Sequence, residues 1–221
     1  MLGTALGMNG GARRIAAVIF SSERILKHMG RNFYAVLSRM KYITRWALMR
    51  NTRQENICEH SYDVAVLAHA LAVLTNRRFG GRVDEGRCVL LALYHDAPEI
   101  LTGDMPTPVK YDNPAIRDAY KQVEAVSAGK LLSMLPEDLQ EDYGPLFFAG
   151  DGWEQEKRLV KAADKLSALI KCVEELGQGN REFLSARRST EQAIRAMGLP
   201  AADCFLEEFL PAYELTLDEQ S

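Results

Sequence analysis

The sequence predicts an all-α fold, and three observations carry that prediction. Apolar residues recur at intervals of three and four in several separate stretches, helix-starting and helix-stopping residues stand at their edges, and no stretch alternates with period two. No internal repeat or low-complexity tract competes with that pattern.

The elements follow in order. Residues 1 to about 30 stand apart, with glycines at 3, 7, 10 and 11 and little periodicity before Ser22. They are expected to be a loose N-terminal extension, or to precede a native start at Met29, with a single domain over residues 31–221. Phe33, Val36, Leu37 and Met40 mark a short helix with Asn32 as its expected N-cap, and a loop then carries Arg45-Trp46. Val64, Leu67, Leu71 and Leu74 give the core stripe of a helix from about Ile57 to Leu74, with His60 in its first turn. Asp84 caps a third helix that reaches His95-Asp96, where Pro98 forces the chain to turn. Thr102-Gly103-Asp104-Met105-Pro106-Thr107-Pro108 has the composition of a shaped loop, a common place for ligand binding.

Asn113-Pro114 opens a long helix to about Leu135, and Pro136-Glu137-Asp138 starts another. Leu159, Ala163, Leu166, Ile170 and Val173 mark a helix that Gly177 or Gly179 should end, with Asp164 beside the stripe. Later helices are expected over Arg181 to Met197 and Ala201 to Leu215, separated by Gly198-Leu199-Pro200.

A 221-residue chain that is 47% hydrophobic can close one continuous core. Its formal charge of −3 disfavours a nucleic-acid polymer as partner but leaves room for a single small anion. Cys58, Cys88, Cys172 and Cys204 form no CxxC pair, and reduced thiols in the cytoplasm are the expectation. No apolar run approaches the roughly 20 residues that span a bilayer, so no membrane partner is expected.

His95-Asp96 is the most informative pair, because two metal-capable side chains follow the apolar run Val89 to Tyr94. Neutral imidazole and carboxylate suit a divalent ion with nitrogen and oxygen donors, and the C-terminal end of a helix favours a cation. If His60 and Asp164 converge on the pair from other helices, the site becomes His, His, Asp, Asp and points to metal-assisted hydrolysis of a phosphate ester. His69 lies nine residues from His60, on the opposite helix face, and reads as a packing or surface histidine, as does His28. On its own, Asp164 reads equally as a helix-surface partner of Lys161 or Lys165.

Several stretches together resemble the bacterial HD-domain 5′-deoxyribonucleotidases: Leu37 to Lys41 with Arg45-Trp46, Leu48 to Asn51, Glu55-Asn56, Glu59-His60-Ser61, Tyr94 to Glu99, Leu101 to Asp104, Pro106 to Tyr111, Lys161 to Asp164, and Leu215 to Glu219. The resemblance runs from about Phe33 to Glu219. It implies a helical HD-domain bundle with a single buried site, where one divalent ion, cobalt, manganese or a similar metal, is held by His60, His95, Asp96 and Asp164. It further implies a homodimer that hydrolyses 2′-deoxyribonucleoside 5′-monophosphates.

In that family's terms Arg45 would orient the phosphate and Trp46 would form a wall against a ribose 2′-hydroxyl. His60 and Asp96 would also touch substrate, and Glu99 would transfer a proton. Asp104 would accept a hydrogen bond from the 3′-hydroxyl, with Met105, Pro106 and Thr107 shaping the nucleoside pocket. Two alternatives stand beside this reading. One is an HD phosphohydrolase for another nucleotide or a phosphodiester, disfavoured by the joint presence of Arg45 and Trp46; the other is a non-catalytic helical dimerisation protein, disfavoured by a complete ligand set.

Overall fold

In the computed structural model, which describes residues 31–221 except 111 and 149, helix follows helix. These are α1 (Phe33–Leu37), α2 (Ile57–Arg78), α3 (Glu85–Tyr94), α4 (Glu99–Thr102), α5 (Thr107–Lys110), α6 (Pro114–Leu132), α7 (Glu137–Phe148), α8 (Glu154–Gly177), α9 (Leu184–Arg195) and α10 (Pro200–Glu208). Short 3-10 turns follow α1, α8 and α10. Among the described residues the β pairing is one antiparallel bridge, Thr44 to Asn56. The expected extension, with His28 and Met29, lies outside the described residues.

Local chemistry explains where the helices start. Asn56 caps α2 by accepting from the backbone of Cys58 and Glu59, both at 3.0 Å, Asp84 caps α3 through Arg87 N at 2.8 Å, and Asn113 caps α6 through Ile116 N at 3.0 Å. Asn32 departs from expectation: its backbone (φ −101°, ψ 4°) is not in the extended region that aims a capping side chain, and it serves α1 with its carbonyl alone.

Helix ends differ more. The second helix runs on to Arg78, whereas α6 stops at Leu132. The expected helix over Arg181 to Met197 begins as a 3-10 turn, Arg181–Phe183. The expected Ala201 to Leu215 helix breaks after Glu208, because Pro211 has no N–H to give the Glu207 carbonyl. The shaped loop is confirmed over residues 103–106, but Thr107–Lys110 closes one helical turn, Pro108 being tolerated where no N–H is needed. Gly103 (φ 75°, ψ 161°) is required there, since a Cβ makes that conformation costly.

Two cores form. The larger joins α2, α3, α8 and α10 through Leu71, Ala92, Leu166, Leu169 and Ala202; each fully buried leucine contributes about 1.5–3 kcal/mol. By length and composition α2 is apolar enough to cross a bilayer, yet Val64, Ala68, Leu71 and Ala72 bury it in this core. The smaller core gathers Phe33, Met40, Ile57, Ala97, Leu131 and Leu135, with Phe33 edge-on to Tyr143 and Phe147. The end of α3 lies between the two cores.

Beside the apolar stripe of α8 runs a polar one, Asp164, Ser167, Lys171 and Glu175, of which the last three are buried. Glu175 accepts from Thr52 N and Oγ1, from Asn180 Nδ2 and from Lys171 Nζ; Lys171 also donates to the Arg53 carbonyl at 2.6 Å. This clamp fastens the segment following Trp46 to the end of α8. Burial opposes ionisation of Glu175, but hydrogen bonds from Lys171, Asn180 and Thr52 outweigh it and hold the carboxyl at about 2. A lowered folded-state value means stability that is complete above the unfolded value of about 4.3 and drains away as pH falls toward about 2. Urea midpoints measured across that range should show the loss, and Glu175→Ala should abolish that acid dependence while costing about 3–5 kcal/mol by stranding Lys171.

Candidate metal centre and substrate site

Three helices deliver the ligand candidates. His60 enters from the first turn of α2 and is fully buried, His95 and Asp96 come immediately after α3, and Asp164 comes from the middle of α8. Donor atoms of His60, His95 and Asp96 all lie within 4.8 Å of one another. Asp96 Oδ2 stands 3.5 Å from His60 Nε2 and 3.2 Å from His95 Nε2. Asp164 is outside that mutual group, but its Oδ1 lies 3.1 Å from His60 Nε2. It therefore faces the histidine pair, which answers the alternative of a surface partner for Lys161 or Lys165.

Both imidazoles are oriented from behind. His95 Nδ1–H donates to the Ala92 carbonyl at 2.6 Å, leaving Nε2 deprotonated when the ring is neutral. That Nε2 is buried and satisfies no hydrogen bond, as expected of a metal-facing nitrogen. His60 Nδ1 shares a hydrogen bond with Ser167 Oγ at 3.0 Å, which turns its Nε2 toward Asp96 and Asp164. Two imidazole nitrogens and two carboxylates, supported in this way, fit a divalent ion.

The electrostatics agree. Burial opposes protonation of His95, but the Asp96 carboxylate, aided by Asp164, lifts it to about 9. Burial works against charge on Asp96, yet His95, His60 and Arg45 hold its carboxyl well below the usual range. Glu99, 6% exposed with Oε2 lacking any hydrogen bond, is pushed up to about 9 by burial and by the neighbouring Asp96 and Asp104. Asp104 is raised by burial and by Asp96 against the pull of Arg45.

Arg45 Nη1 donates to Asp96 Oδ2 at 3.3 Å while its Nε lies 3.5 Å from Glu55. The guanidinium is buried against the ligand cluster and is no surface ion pair. Trp46 takes a left-handed backbone (φ 59°), donates Nε1–H to Glu55 Oε2 at 2.8 Å and packs against Phe183. Met105 and Pro106 are half-buried and Thr107 is exposed. Their loop is tied to α6 by Tyr120, which donates to the Gly103 carbonyl at 3.3 Å, and by a Lys110–Glu124 ion pair. A cavity of about 290 Å³ is lined by His95, Asp164, Lys161, Tyr94 and Phe147.

His69 is exposed near Glu85, as expected, and all four cysteines are free. The sequence reading missed Ser167 and assigned no role to Glu55. Ser167 was detectable three residues after Asp164, on the same face of α8.

An all-helical scaffold with this histidine and aspartate cluster defines an HD-domain phosphohydrolase. An HD-domain phosphohydrolase from Listeria innocua superposes with a TM-score of 0.72 at 25% identity, covering 82% of this chain and 88% of that one. The cyanophage S-2L HD phosphohydrolase DatZ, solved with dA and one catalytic Zn2+ ion, shares the fold at 19% identity and a TM-score of 0.58, over 82% of this chain and 96% of that one. More narrowly, a family model described as 5′-deoxynucleotidase YfbR-like matches residues 32–213, and the chain belongs to that family. It is 51% identical over 190 residues to 5′-deoxynucleotidase YfbR of Escherichia coli, covering 86% of this chain and 96% of that protein. It is 48% identical over 190 residues to 5′-deoxynucleotidase VP0926 of Vibrio parahaemolyticus, covering 86% and 98%.

Because a ligating imidazole must be neutral, cation binding should displace the proton that His95 holds up to about 9. Divalent-ion affinity is expected to strengthen as pH rises toward that value. Calorimetry in buffers of different ionisation enthalpy should register the released proton; affinity independent of pH would show that His95 carries no proton for the cation to displace.

Proposed function

We propose that the chain hydrolyses 2′-deoxyribonucleoside 5′-monophosphates to deoxyribonucleosides and phosphate at this centre, with one divalent ion held by His60, His95, Asp96 and Asp164. The carrying observation is the buried convergence of His60, His95 and Asp96, in a chain about half identical to 5′-deoxynucleotidases over nearly their whole length. Such an ion supplies Lewis acidity, neutralising phosphoryl charge and making water a better nucleophile. Cobalt, manganese or a similar ion is the activator in this reading, since a mixed nitrogen and oxygen set accepts any of them.

The protein's own groups do the rest. Arg45 orients the phosphate through paired charge-assisted hydrogen bonds, and its contacts with Asp96 and Glu55 keep it beside the ligand cluster. Glu99 holds a proton at neutral pH and has an unpartnered buried oxygen. We assign it as the general acid that protonates the departing 5′ oxygen. His60 and Asp96 bound the substrate phosphate, and Trp46 closes the space where a 2′-hydroxyl would stand. Asp104 accepts from the 3′-hydroxyl, with Met105, Pro106 and Thr107 framing the nucleoside.

We also propose that the catalytic domain covers residues 31–221, that the protein works in the cytoplasm, where its free thiols stay reduced, and that it is a homodimer. The exposed pair Leu90 and Leu93 on one face of α3 supports self-association. Nucleic-acid polymers and membranes are not among its partners in this reading.

The deciding assay is phosphate release from matched deoxyribo- and ribonucleoside 5′-monophosphates by chelator-stripped protein resupplied with cobalt, manganese, zinc or magnesium. Metal-dependent release confined to deoxy substrates is expected; release from ribonucleotides at equal rates would unseat Trp46, and no release with any ion would overturn the reading. A second expectation concerns pH. With Glu99 as acid, kcat should fall as pH rises through about 9, and Glu99→Gln should lose that basic limb along with most turnover while keeping its metal.

A further inference from the structure

We infer that Glu55 is a positioning residue that sets sugar selectivity through Trp46 and phosphate orientation through Arg45, because one carboxylate is wedged among Trp46, Arg45 and His60. The inference rests on the deoxynucleotidase reading above.

The geometry is specific. Glu55 Oε2 accepts the indole N–H of Trp46 at 2.8 Å and lies 3.5 Å from Arg45 Nε, while Oε1 lies 3.6 Å from His60 Nδ1. Arg45 Nε is buried and makes no hydrogen bond, so it meets Glu55 as charge against charge. The backbone fixes the carboxylate before its side chain acts: Arg45 N donates to the Glu55 carbonyl and Ile57 N to the Ile43 carbonyl, both at 2.9 Å, around the Thr44–Asn56 bridge.

Trp46 needs such a holder. Its backbone sits at φ 59°, unfavourable for any residue with a Cβ, and on its other side the ring meets Phe183 at 5.3 Å between centroids. An apolar contact alone lets an indole pivot, whereas a hydrogen bond at its nitrogen fixes the ring's rotation. A wall that discriminates a single hydroxyl must be placed within a fraction of an ångström, which is the work of a supporting residue behind it. Glu55 itself faces Trp46, Arg45 and the far nitrogen of His60, so it acts through them.

The two roles separate chemically. Holding the indole requires only an acceptor oxygen, which glutamine retains; holding the guanidinium requires negative charge, which glutamine lacks. The experiment is steady-state kinetics on matched deoxyribo- and ribonucleoside 5′-monophosphates, with fold checked by circular dichroism and metal content measured. Glu55→Ala should lower the deoxy-to-ribo ratio of kcat/KM by about tenfold, the scale of one hydrogen bond. Glu55→Gln should keep that ratio and raise KM for both sugars alike. Trp46→Phe, which removes the donor, should lower the ratio, and adding Glu55→Ala to it should lower it no further.

A folded, metal-loaded Glu55→Ala with the wild-type ratio overturns the inference, as does independent addition of the two changes. Should Glu55→Ala not fold, the contrast between Trp46→Phe and Glu55→Gln decides: an unchanged ratio in the former overturns the inference. Wild-type protein that treats both sugars alike overturns the function reading as well, so the two failures are distinguishable.

Discussion

Buried negative charge is the constraint on which the rest of this site depends. Glu55, Asp96 and Glu99, largely withdrawn from bulk water, crowd with the half-buried Asp104 and Asp164 around one guanidinium and two imidazoles. A carboxylate in such surroundings must be paired or must take up a proton. Each group solves the problem differently. Asp96 stays ionised because His95 and Arg45 compensate it, Glu99 is left with unfavourable neighbours and keeps its proton, and His95 acquires a proton that a cation can replace. The protonated Glu99, the paired Arg45 and the protonated His95 are three consequences of one charge imbalance.

Helix ends turn this imbalance into a shaped site. His60 stands where α2 begins and His95-Asp96 where α3 ends, so neither needs a long side chain to reach the other. Behind them the larger core fixes α2, α3 and α8 against one another, and the smaller aromatic core fixes the chain around Ala97. The rigid parts carry the clustered histidines and aspartates, while Arg45-Trp46 and residues 103–106 are irregular chain. That irregular chain is restrained: Glu55 and the Glu175 clamp hold the first segment, Tyr120 and Lys110 the second.

Much of this was legible in the sequence, for identifiable reasons. Asn56, Asp84 and Asn113 stand before apolar periodicity and cap helices as such residues do, and the spacing of Leu159, Ala163, Leu166, Ile170 and Val173 gave α8 its buried face. Helix ends were less legible, because tertiary packing decides how far α2 outruns its stripe or where α6 stops. At the site, the motif residues His60, His95 and Asp96 do meet. Glu55 was opaque because its contacts come from what lies across the fold, and no spacing announces a partner nine residues back in irregular chain; Ser167, which meets His60 from across the fold, could be read only through its three-residue spacing from Asp164. The buried polar stripe of α8 was hidden for a related reason: lysine and glutamate at helical spacing look like a solvated face until a loop is seen covering them.

That stripe gives α8 the character of a ruler. Asp164 and Glu175 are eleven residues apart, which at about 100° and 1.5 Å per residue returns the side chain to nearly the same face some 16 Å further along. One end meets His60 and the other holds the chain that follows Arg45-Trp46. A single inserted or deleted residue between them would swing Glu175 about 100° away and strand one end whichever way the helix settled. Length variation during divergence should therefore collect in the connection before α8, where Gly152 already turns the chain at φ 82°, and be purged between positions 164 and 175.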